Sequence, residues 1–174
     1  MTLEGATGTD LSPPDAAGPD RATFLDVMAS VPTGVTILTT TDEHGTPYGM
    51  TASSFCSVSL DPPLVLVCVA TSASCFPAFI RCGRFAVSVL RPEHAALARR
   101  FASRSAEKFA AGGLRPATSG LPVVDGALAT LECRVYDRHL AGDHVILVGE
   151  VRRARWAGGT PLVYAGRVFT ELAS

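Results

Sequence analysis

Seven runs of apolar and β-branched residues, most of them bounded by glycine, proline or aspartate, dominate the pattern along the chain. Short runs of this kind are typical of β-strands, and the alternation of apolar positions from Ala127 to Val135 indicates a strand with one buried face. The pattern predicts strands over residues 35–40, 48–52, 64–70, 85–90, 127–135, 145–155 and 162–172. Turn residues at 42–45 and 141–144 join neighbouring strands as hairpins. Glycine and proline residues predict a loop over residues 112–122.

Three short helices are predicted between the strands, over residues 23–31, 76–81 and 93–102. The first carries the capping pattern Thr23-x-x-Asp26 and has apolar residues at helical spacing. Ser74 is placed to cap the second helix and Gly83 to end it, while Pro92 precedes the third. Strands outnumber helices and do not alternate with them regularly, which favours an antiparallel barrel over a parallel sheet.

Length and composition indicate one soluble domain. The chain has 174 residues, of which 47% are hydrophobic, and a mean hydropathy of +0.27. Its longest apolar run, residues 64–70, is far shorter than the ~20 residues of a membrane helix. Residues 1–19 are predicted to be a disordered tail before the domain at 20–174, because they lack the basic start and apolar stretch of a signal peptide. We therefore expect a cytoplasmic protein with no membrane partner.

Charge and motif content exclude several classes of function. A net charge of −1, a pI near 6.4 and scattered arginines argue against a nucleic-acid partner. The five cysteines are an odd number without a CxxC pair, so neither a disulfide framework nor a zinc site is supported. Rossmann, P-loop, GxSxG and HExxH motifs are missing from the sequence, so the chemistry must come from a cofactor held in another way.

Five hydroxyl side chains lie within nine residues, from Thr51 to Ser59, directly before Asp61-Pro62-Pro63. Where a strand opens into a loop, such donors suit a phosphate and the polar edge of a ring; the alternative is ordinary strand-edge hydroxyls. With Gly49-Met50 before it, this segment resembles the flavin-binding signature of the short-chain flavin reductases, the reductase components of two-component flavin-dependent monooxygenases. The resemblance extends over about residues 24–172.

The resemblance implies that the hydroxyl-rich segment surrounds the isoalloxazine ring and the ribityl phosphate of a flavin. The implied binding residues there are Thr51, Ala52, Ser53, Ser54, Phe55, Cys56, Val58 and Ser59. Within that set, Ser53 and Ser54 are the first positions to test.

Two further segments match family sequences near the flavin phosphate. Ala73, Ser74 and Cys75 correspond to a loop beside that phosphate, with plain N-capping by Ser74 as the alternative. Residues 101–108 resemble a Phe-Ala-x-x-x-x-x-Lys stretch, which implies that Lys108, or Arg104 or Ser105 near it, reaches the phosphate or nucleotide. A solvated charged face is the alternative for this stretch.

The turn Gly142-Asp143-His144 resembles the family motif on the nicotinamide side of the flavin, which implies that His144 contacts the hydride donor. A histidine in a hairpin turn can equally be an exposed residue with local hydrogen bonds. A metal cluster with His139 is disfavoured because its ligands would come from one hairpin. Near the C-terminus, Arg167 matches the closing Tyr-x-x-Arg strand and is a candidate partner for a nicotinamide nucleotide phosphate, with a surface ion pair as the alternative.

As a whole, the resemblance implies a six-stranded antiparallel split β-barrel with Greek-key topology, short flanking helices and a homodimeric state. It implies that NADH or NADPH reduces free FMN or FAD, and that the reduced flavin leaves for a flavin-dependent monooxygenase. Two alternatives remain on the same barrel: a non-enzymatic flavin sensor or carrier, and an oxidase related to the pyridoxamine-phosphate oxidases. The nicotinamide-side residues favour the reductase.

Overall fold

The computed structural model of the protein describes residues 18–105 and 107–172. Its elements are, in chain order, α1 (Arg21–Ser30), β1 (Thr33–Gly34), β2 (Thr36–Thr41), β3 (Pro47–Ala52), β4 (Cys56–Ser59), β5 (Leu64–Ala70), α2 (Phe76–Arg81), β6 (Arg84–Val89), α3 (Ala95–Ala102), β7 (Leu114–Pro116), β8 (Pro122–Val124), β9 (Ala129–Ala141), β10 (His144–Trp156), β11 (Val163–Ala165) and β12 (Val168–Thr170). A 3-10 turn over Pro92–His94 leads into α3. The predicted tail falls mostly on residues 1–17, which lie outside the described residues.

A seven-stranded antiparallel sheet forms the body of the fold, in the order β3-β2-β6-β9-β10-β5-β4. A three-stranded sheet, β1-β11-β12, and the β7–β8 hairpin complete the β-structure. The prediction of a mainly β, antiparallel fold with short helices is confirmed. Hydrogen bonds do not close the large sheet within the described residues, so a closed six-stranded barrel is not shown.

Residues 53–55 require this sheet to curl. They alone join β3 to β4, which lie at opposite edges of the sheet. In a flat sheet, the six spacings between these edges would amount to roughly 29 Å, at about 4.8 Å each. The four Cα–Cα steps from Ala52 to Cys56 span at most about 14 Å. The two edges therefore approach each other, and the predicted flavin segment bridges them.

Two hydrophobic clusters hold the helices to the sheet. The first lies between the sheet and α2 and contains Phe79, Phe85 and Leu147, each at most 1% exposed. The second lies under α3 and includes the fully buried Phe101. A Cβ at Gly49 would lie 2.8 Å from Phe101 Cε1, so only glycine lets α3 approach β3 this closely. Burial of a phenylalanine side chain contributes about 1.5–3 kcal/mol, which anchors both helices.

The first helix begins earlier than predicted. Asp20, and not Thr23, is its N-cap: the Asp20 carboxylate accepts from the backbone N–H groups of Ala22 and Thr23 at 2.9 and 3.0 Å. A carboxylate three residues ahead of Thr23 offers the stronger cap, because a charged acceptor also suits the positive end of the helix. No residue of α1 is buried, and Phe24 and Met28 are about half exposed.

The local predictions around α2 are confirmed in extent but not in capping. The strand at 64–70 and the helix at 76–81 have the predicted bounds. Cys75 occupies the N-cap position and makes no side-chain capping bond, so Ser74 does not cap this helix. Both predicted hairpins are present, since β2 pairs with β3 and β9 with β10.

Two predictions are wrong: the loop at 112–122 and the single continuous strand at 162–172. The loop expected at 112–122 contains β7 and leads into β8, which together form a short hairpin. The strand expected at 162–172 is a second hairpin, β11–β12, turned by Gly166 and Arg167 with φ of 56° and 65°. Two consecutive positive φ angles match the type I′ turn of two-residue hairpins. None of the helices in the described ranges is long and apolar enough to cross a membrane.

Candidate functional site

Two hydroxyls of the segment 51–59 are engaged within the protein. Thr51 lies on β3, and its Oγ1 donates to the Ala98 carbonyl of α3 at 2.7 Å. Ser54 lies in the link between β3 and β4, and its Oγ accepts from the Cys68 N–H of β5 at 2.9 Å. Ala52 is buried in the core. These contacts give Thr51 and Ser54 a structural role, which corresponds to the strand-edge alternative considered from the sequence.

The outer part of the same segment faces solvent. Ser53 is exposed, and its hydroxyl makes no hydrogen bond to any of the described residues. Cys56 and Val58 are also exposed, on the edge strand β4, while Phe55 and Ser59 are half-buried. An unengaged hydroxyl beside a free strand edge offers donors and acceptors to a ligand, so Ser53 is the better binding candidate of the serine pair.

The structure places the loop 71–75 directly beside the turn 142–144. The backbone N–H and the Oγ1 of Thr71 both donate to the Asp143 carbonyl, at 2.9 and 3.0 Å. His144 pairs with Ala70 in the β5–β10 ladder. The segments that the resemblance assigns to the phosphate and to the nicotinamide therefore adjoin, although more than sixty residues separate them in the chain.

His144 is oriented by its neighbour. Its Nδ1 lies 2.7 Å from Asp143 Oδ1, and the hydrogen bond and the charge of His144 lower the pKa of the Asp143 carboxyl. Because a carboxylate only accepts, Nδ1 carries the shared proton and Nε2 is left to a ligand. The His144 side chain is 43% exposed, so a ligand can reach it.

Lys108 is not part of a solvated face. The residue is 8% exposed, and its Nζ donates to the carbonyls of Phe101 at 3.0 Å and Gly49 at 3.4 Å. Burial lowers the pKa of Lys108, and the nearby Cys75 thiol opposes this shift. Burial likewise raises the pKa of Cys75. Lys108 therefore joins α3 to β3 near Cys75. Two of its three N–H groups donate to these carbonyls, so one is left for a ligand.

The other charged candidates lie apart from this arrangement. Arg167 sits in the β11–β12 turn, and its Nη2 donates to Asp26 Oδ1 of α1 at 2.6 Å, which raises the pKa of Arg167. This ion pair matches the alternative considered for Arg167, and its role toward a nucleotide stays a prediction. Arg104 and Ser105 are exposed. Of the other loop residues, Ser74 is exposed, Ala73 half-buried and Cys75 buried.

A cavity of about 1060 Å³, which no sequence motif predicted, opens beside Ser74. Five of its lining residues are arginines, drawn from α2, β6, β9 and β10: Arg81, Arg84, Arg134, Arg152 and Arg153. They come from three separate parts of the chain, residues 81–84, 134 and 152–153, and so appeared scattered. Strand pairing gathers them, since Arg84 lies directly opposite Arg134 in the β6–β9 ladder.

Comparison with known proteins identifies the family. Residues 28–173 match the profile described as "Flavin reductase like domain". The chain is 51% identical to the actinorhodin polyketide dimerase of Streptomyces coelicolor, over 89% of this chain and 88% of the relative. It is 43% identical to an FMN reductase (NADH) of Agrobacterium fabrum, over 87% and 86% of the two chains.

A solved structure with a similar fold carries ligands. The NADH:FAD oxidoreductase of Streptomyces globisporus C-1027, in complex with NAD and FAD fragments, superposes with a TM-score of 0.83 at 39% identity. The superposition covers 88% of this chain and 93% of the other.

Proposed function

Because the chain belongs to the flavin reductase like domain family, we propose that it is an NAD(P)H:flavin oxidoreductase that reduces free FMN or FAD. The reduced flavin passes by diffusion to a partner monooxygenase. The double hydrogen bond from Thr71 to Asp143 carries the structural part of the proposal, because it sets the loop assigned to flavin beside the turn assigned to nicotinamide.

The reaction itself transfers a hydride from C4 of the nicotinamide to N5 of the flavin, and the two substrates supply that chemistry. No protein acid or base is needed at the transferred hydride, so the protein acts by stacking geometry and by placing donors. Asp143 fixes the ring of His144, and His144 shapes the nicotinamide pocket with its Nε2. The exposed Ser53 and backbone donors of the 53–55 link would hold the polar edge of the flavin ring.

The donor set fits a flavin phosphate. Lys108 brings a buried positive charge close enough to Cys75, at the end of the loop 71–75, to act on the pKa of its thiol. Its two carbonyl contacts hold the ammonium in place, so little side-chain entropy is lost when an anion binds. A charge-assisted hydrogen bond to phosphate is stronger than a neutral one. Lys108 is therefore the residue of this site best suited to a phosphate.

We further propose that the protein forms a six-stranded split barrel with Greek-key connections and assembles as a homodimer. The short link between the two edges of the large sheet supports the barrel, because it requires those edges to converge. Helix α1 exposes apolar side chains, among them Phe24, Val27 and Met28. Burial of this surface against a second copy of the chain would explain them and supports the homodimer. A cytoplasmic location completes the proposal, since NADH is available there.

The partner is expected in polyketide chemistry. A relative at 51% identity is named for the dimerisation of a polyketide, and reductase components of monooxygenases occur among the other relatives. Oxygenation or oxidative coupling of an aromatic polyketide by an enzyme that consumes reduced flavin would need this supply. The dimerisation itself is the activity for which that relative is named, and it is not part of this proposal.

The test is oxidation of NADH and NADPH by the purified protein, with FMN, with FAD and without flavin. The proposal expects oxidation that depends on added flavin and saturates with it. A protein that binds flavin but oxidises neither nucleotide would be a sensor or carrier instead. Transfer is then tested by placing a flavin-dependent monooxygenase behind a dialysis membrane at low oxygen, where product formation requires diffusing reduced flavin.

A further inference from the structure

The cavity beside Ser74 has the size and the walls of a nucleotide site. Its volume of about 1060 Å³ matches the upper range of small-molecule pockets, about 300–1,000 Å³. Tyr48, Pro77, Ala78 and Leu121 give it apolar surfaces on which a planar base can rest. Among the described residues of the predicted flavin segments, Ser74 lines this cavity and the others do not.

The charges that line the cavity leave a surplus of cations. Five arginines stand against three acidic residues in the wall. Glu132 accepts from the Ser119 N–H at 2.8 Å, Asp42 accepts from backbone N–H groups of its own hairpin, and Glu43 lies 3.5 Å from His44. Among the arginines, Arg134 and Arg152 share Glu150.

Arg81 and Arg153 make no ion pair with any of the described residues. Arg84 adds to this surplus, because it stands opposite Arg134 across two strands, an arrangement of like charges that destabilises a sheet. An anion in the cavity would relieve that repulsion.

We propose that this cavity binds the adenosine-phosphate half of a dinucleotide, which is the half that FAD has and FMN lacks. The inference rests on the proposed function, and it names the substrate class of the same site. From Ser74, the cavity follows α2 to Arg81, about 10 Å along the helix axis at 1.5 Å per residue. A phosphate held at the loop 71–75 can therefore continue into a second phosphate and an adenosine along this wall.

The same half occurs in NADH, so the experiment separates the two sources. Arg81→Ala with Arg153→Ala removes two of the three cavity arginines that make no ion pair among the described residues, and leaves the loop 71–75, Lys108 and His144 intact. The matched control is Arg155→Ala, which removes an exposed arginine of β10 that does not line the cavity. Dissociation constants are measured for FAD, FMN and 5′-AMP, together with the KM for NADH.

For the double variant, we expect FAD affinity to fall about tenfold, as for the loss of charged hydrogen bonds, and 5′-AMP binding to be lost. FMN affinity should change less than about twofold, and FAD binding to the parent protein should weaken with salt more steeply than FMN binding. A rise in the KM for NADH with unchanged FAD affinity would also support the inference. The adenosine-phosphate half that the cavity binds would then be that of NADH and not that of FAD. Arg81→Lys with Arg153→Lys keeps both charges and should retain part of the FAD and 5′-AMP affinity that the alanine variant loses.

Unchanged binding of FAD, 5′-AMP and NADH in the alanine variant would overturn the inference. Equal weakening of FMN and FAD would overturn it too, because the arginines would then act on the shared half of the two flavins. If the proposed function itself is wrong, the unmodified protein will reduce neither flavin. Binding of 5′-AMP can be measured in that case as well, so the two failures are distinguishable.

Discussion

Thr71 and Asp143 are joined by two hydrogen bonds across 72 positions of the chain, one from the backbone N–H and one from the hydroxyl of Thr71 to the same carbonyl. The bonded residues stand beside the paired ends of β5 and β10, which pair over residues 64–70 and 144–150. The distance between the loop 71–75 and His144 is therefore set by backbone structure. Side chains at the site can be changed without moving the two segments apart.

His144→Gln is expected to raise the KM for NADH or lower the turnover number, while flavin affinity changes little. Glutamine cannot reproduce the imidazole that Asp143 orients at 2.7 Å. Steady-state kinetics and flavin titration measure the two effects separately. His139→Gln is the control, since His139 is exposed on the same hairpin and lies 3.3 Å from Asp137 in a similar pair. Equal losses of nucleotide use and flavin binding would give His144 a structural role.

Ser53→Ala and Ser54→Ala should act in different ways. Loss of the exposed Ser53 hydroxyl is expected to weaken flavin binding by up to about tenfold, the effect of one hydrogen bond to a strongly polar group, with unchanged stability. Loss of the Ser54 hydroxyl leaves the Cys68 N–H without its partner and should lower the free energy of unfolding by about 1–3 kcal/mol. Flavin titration and urea denaturation measure these quantities. The opposite assignment of the two effects would show that the link turns Ser54, and not Ser53, toward the ligand.

Lys108→Met should weaken the binding of FMN by about tenfold, because the substitution removes a charged donor to the phosphate. Lys108→Arg, which keeps the charge, serves as the comparison. Lys108 is the only lysine of the chain, so FMN should also protect it from an amine-directed reagent, as peptide mapping can measure. If riboflavin, which has no phosphate, protects equally well, Lys108 does not contact the phosphate.

Lys108 also predicts a dependence of stability on pH. Because burial lowers its pKa in the folded protein, the unfolded chain binds more protons between that lowered value and the usual 10.5. The contribution of this group to the free energy of unfolding therefore rises as the pH increases through that window. Denaturation series between neutral and alkaline pH should show this rise in the parent protein and a flatter profile in Lys108→Met. Identical profiles would mean that the ammonium is well solvated in the folded state.

The protein should lose most of its flavin on gel filtration. Turnover near ~10 per second with association at ~10⁶–10⁷ M⁻¹s⁻¹ requires a dissociation constant of at least about a micromolar for the reduced flavin. Absorbance of the eluted protein, in both redox states, measures what is retained. A yellow protein with one flavin per chain would contradict diffusion of the product.

The elements that local sequence signals specify were predictable. The strand at 64–70 is a continuous apolar run, and the helix at 76–81 is bounded by turn residues, so both have the predicted bounds. The hairpins β7–β8 and β11–β12 have strands of three residues each, too short for a period of two to show. Their stability comes from contacts with distant segments, such as the pairing of β1 with β11.

The candidate site was predictable only where residues are adjacent in sequence. The segment 51–59 was found through its hydroxyls, yet the sequence could not tell that Ser54 bonds to β5 while Ser53 faces solvent. That difference depends on the curl of the sheet. The arginine-lined cavity is a product of strand register, because a shift of one residue in the β6–β9 ladder would separate Arg84 from Arg134.

The pairing of β5 with β10 also determines when the site can form. Hairpins such as β2–β3 and β9–β10 close over a few residues, whereas the β5–β10 contact joins Ala70 to His144 and must close a loop of more than seventy. Closing a long loop costs entropy that its contacts recover only afterwards, so non-local pairings form late. During refolding, the secondary structure should therefore return before the protein can quench flavin fluorescence, and the newly made chain has a period in which it is largely folded but has no complete binding site.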